Sequence, residues 1–113
     1  MAKKVYAGIA LLDVDDESAE DGSRFVFVGQ FFLSQYIDTA EKAFRDEIMR
    51  QGWVCEGLVI EVTEESVKHL KELLEQWKEY FNKNDELDRY ELGKIYGMQK
   101  DLDKIVEFAK EVK

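Results

Sequence analysis

The chain contains no proline, one cysteine and one histidine among its 113 residues. Without proline, the turns fall to Gly, Asn and Asp, which reach the backbone angles of tight turns at low cost. The lone Cys55 cannot close an internal disulfide, so nothing points to an oxidising compartment. The lone His69 has no second histidine and no cysteine motif beside it, so it lacks the partners of a zinc site or a nucleophilic triad. No segment approaches the ~20 apolar residues that a membrane helix requires. The apolar run after Lys3 and Lys4 stops at Asp13, no small-x-small cleavage site follows, and the next residues are acidic. That start is therefore not expected to be a secretion signal, and a cytoplasmic location is expected. A glycine-rich phosphate loop, a dinucleotide fingerprint and a nucleophile elbow are all missing.

Positive charge is also scarce. Sixteen basic residues face 25 acidic ones, a net charge of −9, and before Thr63 acids outnumber bases two to one. Phosphate contacts need clustered Lys and Arg, so direct binding to nucleic acid is not expected. The balance suits a basic protein partner, including one that itself binds nucleic acid.

What the chain does have is periodicity, and residues 38–74 carry it most clearly. Ala40, Ala43, Phe44 and Ile48 recur at helical spacing, and Gly52 follows where a left-handed residue commonly ends a helix. Trp53 to Val62 is rich in β-branched and aromatic residues, with Val54, Leu58, Ile60 and Val62 on one side of a two-residue alternation. Thr63 is placed to accept from the Ser66 amide and start the next helix, with Glu64 and Glu65 in its first turn. Asp38 is the expected N-cap of the first helix. Upstream, Lys4 to Val14 is apolar on both sides of its alternation, as in a strand covered on both faces. Arg24 to Leu33 forms a second strand, antiparallel to the first, with Gly29 marking a bulge or a close approach.

Downstream, Val67, Leu70, Leu74, Trp77 and Phe81 form a helical seam. Ile95, Met98, Leu102, Ile105, Ala109 and Val112 form another, which predicts an antiparallel helical hairpin. Leu87 to Tyr90 fall out of phase with the second seam, and Gly93 and Gly97 each cost about 1 kcal/mol within a helix. A break is expected between them. The reading is a single α+β domain over residues 1–113, ordered β-β-α-β-α-α. Strands are expected near 4–14, 24–33 and 53–62, and helices near 38–51, 64–81, 86–96 and 98–112. Strands joined through a helix are expected to run parallel, giving a small mixed three-stranded sheet with the helical hairpin at the carboxy terminus.

Six carboxylates lie between Asp13 and Asp21 without an interleaved base: Asp13, Asp15, Asp16, Glu17, Glu20 and Asp21. They begin like a calcium loop, but the turn glycine and the twelfth-position Glu are missing, so no metal is expected. Two readings of the segment stay open, a solvated loop and a surface that docks on a basic partner. Cys55 has no local activating base and reads as a small buried hydrophobe. Glu56 and Glu61 project to opposite strand faces and cannot form a local acid–base pair. The chain is thus expected to have no catalytic residue and no cofactor.

Fourteen aromatic side chains are many for three strands, and any surplus over the core would form an exposed patch, a surface for a partner or for self-association. Phe32 and Tyr36, together with the acidic segment, are the expected partner-binding residues, and homo-oligomers through an aromatic sheet face are a further expectation. The leading reading is a small acidic protein that binds another macromolecule, in the manner of an inhibitor or immunity protein that blocks a basic surface. The alternative is a small-ligand sensor or accessory domain with a pocket between sheet and helical hairpin, and an enzyme is the weakest alternative.

Overall fold

The structure, a computed structural model, describes residues 3–15, 17, 22–83 and 89–112. Its elements are β1 (Lys4–Asp15), β2 (Ser23–Ser34), α1 (Ile37–Gln51), β3 (Trp53–Glu61), α2 (Glu64–Lys83) and α3 (Arg89–Glu111). The α+β order β-β-α-β-α-α and the carboxy-terminal helix pair are those expected. No helix among the described residues is long and apolar enough to cross a membrane.

The strand order is β2-β1-β3, and β1 pairs antiparallel with both neighbours. The sheet is therefore wholly antiparallel rather than mixed. β2 and β3 do run in the same direction, as a helical crossover requires, but β1 lies between them. Its residues from Val5 to Leu12 are all buried, which is why both sides of its alternation are apolar. One face packs Ile9, Leu11 and Phe27 against Leu70, Leu74, Phe81, Ile95 and Leu102 of α2 and α3. The other packs Ala10 and Leu12 against Phe44 and Ile48 of α1.

A bulge in β3 alters the expected alternation. Leu11 faces Glu56 while Leu12 faces Val54, so Cys55 is the extra residue. Val54 consequently joins Val59 on the α1 face, whereas Leu58 and Ile60 lie on the α2–α3 face. Gly29, expected to mark a bulge or a close approach, pairs regularly with Ile9; an added Cβ there would lie 3.0 Å from the Met98 sulfur. Close approach of α3 is what that position accommodates.

Three helix boundaries have clear causes. Thr63 Oγ1 accepts from the Ser66 amide at 3.0 Å, and the Ser66 hydroxyl accepts from the Thr63 amide at 2.8 Å, a reciprocal cap at the start of α2. At α1 the N-cap is Tyr36, whose amide donates to Ser34 Oγ at 3.2 Å; Asp38 lies inside the first turn instead. α3 runs unbroken through Gly93 and Gly97. Burial of Ile95, Met98 and Leu102 along one face outweighs the two glycine penalties. Lys110 lies 2.5 Å from Glu64, and Lys71 lies 2.7 Å from Asp103, the crossed pairing of an antiparallel hairpin.

Candidate protein-binding surface

The turn between α1 and β3 builds the most exposed aromatic corner of the molecule. Gly52 ends α1 with extended backbone (φ 175°), not the left-handed conformation expected. A side chain there would place its Cβ 2.7 Å from the Asp13 carbonyl oxygen. Glycine is thus required for close approach, and that approach sets Trp53 opposite Asp13 across the β1–β3 ladder. Trp53 remains 79% exposed, and Met49 from the last turns of α1 is 64% exposed. Both rim a groove of about 660 Å³ between α1 and β3, floored by Phe44, Ile48 and Val59 and flanked by Glu41 and Arg45. Trp53 was legible only as a strand aromatic. Its exposure follows from its place at the first residue of an edge strand.

Among the described residues, the expected partner-binding residues do not converge. Asp13 is half-buried at the end of β1, and Asp15 and Glu17 are exposed close by. Asp16, Glu20 and Asp21 lie outside the described residues. Phe32 turns inward, its ring in edge contact with Phe44 at 6.0 Å. Tyr36 is exposed, but it follows the end of β2 that pairs with Lys4. Asp13 is nine residues further along β1, about 30 Å away at strand rise. The aromatic sheet face is likewise closed: Phe27 is buried beneath the helices and Phe25 packs in edge contact with Tyr80 and Phe81.

A second hollow of about 400 Å³ lies between the sheet and α2, bounded by Leu11, Phe25, Cys55, Glu56, Trp77 and Tyr80. Cys55 is a free, exposed thiol rather than a buried one, because the bulge carries it out of the regular pleat. Partial desolvation and the carboxylates of Asp13 and Glu56 push that thiol above its ordinary value, which disfavours the reactive thiolate. His69 is exposed on α2, outside the buried seam. Among the described residues no three His, Cys, Asp or Glu side chains gather into a group that could hold a metal ion.

Glu91 is a buried polar residue that the helical rhythm concealed. It stands four residues before Ile95 and seven before Met98, in phase with the α3 seam, and is only 2% exposed. Its Oε1 accepts from the Phe27 amide of β2 and pairs with Lys94 Nζ, each at 2.9 Å. The carboxylate therefore satisfies an amide on the outer edge of β2 that would otherwise be buried without a partner.

In comparisons with protein-family models, with curated proteins and with solved structures, nothing matches the chain.

Proposed function

We propose that the chain acts by binding another protein, one with a basic surface, as small inhibitor or immunity-type proteins do. The observation that carries this reading is Trp53, 79% exposed and directly opposite Asp13, at the sheet end that also bears Asp15 and Glu17. A large rigid aromatic held by a strand supplies contact area at little conformational cost, and tryptophan is the residue most enriched among binding hot spots. Neighbouring carboxylates, in a chain of net charge −9, favour encounter with a positive partner. The exposed free thiol of Cys55 suits the reducing cytoplasm.

Capture from the native host with the parent chain and with Trp53→Ala as paired baits would identify the partner. Kinetics on the purified pair then test the surface. Trp53→Ala should weaken binding by roughly 30-fold or more, the scale of a 2 kcal/mol hot spot, without changing the melting temperature. Asp15→Asn with Glu17→Gln should slow association and flatten its dependence on ionic strength. A partner that both variants bind like the parent would show that the surface lies elsewhere.

The second reading, a small-ligand accessory domain, is supported by the hollow of about 400 Å³ between the sheet and α2.

A further inference from the structure

The two edges of the sheet are treated differently. Along β2, α3 covers the edge, and the outward Phe27 amide is taken up by the buried Glu91. Along β3, no described element covers the edge. The Val62 amide donates to the Val5 carbonyl at 2.8 Å. Alternation along the ladder then turns the amides and carbonyls of Ile60, Leu58 and Glu56 toward β1. Those of Gly57, Val59 and Glu61 aim outward. β3 carries Glu56 and Glu61 toward its ends, but between them Gly57 to Ile60 is without a charge, a proline or a bulge, the one bulge lying before Glu56 at Cys55.

We propose that this edge pairs with β3 of a second copy of the chain, antiparallel about a two-fold axis through Val59, joining the two sheets into one of six strands. Self-pairing requires outward-aiming residues to face one another. With the axis at Val59, Val59 faces Val59, Leu58 faces Ile60, Gly57 faces Glu61 and Glu56 faces Val62 of the second copy. An axis at Leu58 would instead set Glu56 against Ile60 and bring the bulged Cys55 into the ladder. One at Gly57 would set Glu56 against Leu58. The Val59 register stays within the bulge-free run, and its central positions match apolar with apolar.

The side chains at that joint already belong to the two cores. Leu58 and Ile60 are half-buried on the α2–α3 face, and Val59 is half-buried on the α1 face. Pairing therefore continues both hydrophobic layers across the axis. No carboxylate opposes another in this register. A ladder of this length buries less than the about 800 Å² per partner of a standard interface. The dimer is accordingly reversible and concentration-dependent.

Sedimentation equilibrium on the full chain should show a monomer–dimer equilibrium in the micromolar range. Gly57→Pro removes an outward amide, and a Cβ at that position meets only ordinary contacts, the nearest being Ala10 Cβ at 3.6 Å. This variant should be monomeric at the same concentrations with an unchanged circular dichroism spectrum. The register is read by oxidation in a Cys55→Ser background. Val59→Cys should form a disulfide-linked dimer, because facing Cα atoms of such a pair lie about 5.5 Å apart, within bridging range. Gly57→Cys, which faces Glu61, should not. A parent that stays monomeric to millimolar concentration would overturn the proposal, as would a folded Gly57→Pro dimer or crosslinking at Gly57→Cys instead of Val59→Cys. Should Gly57→Pro fail to fold, the two cysteine variants decide alone. Trp53→Ala should leave the dimer intact, which separates this joint from the surface proposed for a partner protein.

Discussion

Replacing Glu91 tests how the β2 edge is held. Glu91→Ala would leave the Phe27 amide buried with no acceptor and deprive Lys94 of its nearest carboxylate. An unsatisfied buried donor costs about 1–3 kcal/mol, and a hydrogen bond to a charged group is worth about 1.5–3 kcal/mol net. These are overlapping descriptions of one loss, so the expected destabilisation is about 2–3 kcal/mol. With an unfolding entropy of ~2.1 cal/mol/K per residue, that lowers the melting temperature of a chain of this size by roughly 10 °C. Glu91→Gln keeps an acceptor and should cost about 1 kcal/mol. Lys94→Ala leaves the buried Glu91 carboxylate without its counter-charge and should destabilise the fold as well, by about 3 kcal/mol. Thermal and urea unfolding measure all three, and amide exchange at Phe27 reports the bond itself, with protection falling sharply in Glu91→Ala. A melting temperature for Glu91→Ala within 2 °C of the parent, a bound taken from the same scaling, would refute the reasoning. So would unchanged amide protection at Phe27 in Glu91→Ala, since the ion pair and not the strand edge would then carry the effect.

Gly93→Ala and Gly97→Ala should each stabilise the chain by up to about 1 kcal/mol, because both lie within α3 and an added Cβ meets nothing within 4 Å; equal urea midpoints for parent and variants would contradict this. The Glu64 carboxyl is held below its ordinary value of 4.5 by the hydrogen bond and charge of Lys110. A depressed carboxyl contributes stability above its unfolded value that is lost as pH falls through the folded one, so Lys110→Ala should raise the Glu64 midpoint in an NMR titration and reduce the loss of stability on acidification below 4.5.

Local and periodic features were legible in the residues themselves. The apolar rhythms that defined α1, β1 and both helical seams depend only on burying one face of a regular element, and the structure packs those faces inward except at Ala43, which is exposed. The reciprocal cap at Thr63 and Ser66 needs only neighbours in sequence. Proximity in sequence groups Phe32 with Tyr36 but does not report which way a strand residue points or which end of the sheet it reaches.

The rest was decided by tertiary structure, for reasons of geometry that no single segment contains. Whether β1 or β3 neighbours β2 depends on which strand is apolar enough on both sides to occupy the centre, and β1 takes that place. The Cys55 bulge arises from matching β3 to β1, so the side to which Val54 turns could not be read from β3 alone. The continuity of α3 through two glycines is a balance between a local penalty and burial against distant residues, and burial prevails. The roles of Glu91 and Trp53 are of the same kind. One carboxylate in a hydrophobic seam acquires meaning from a strand amide 64 positions away. One tryptophan stands exposed because Gly52 brings it against the end of β1, on an edge that no described element covers.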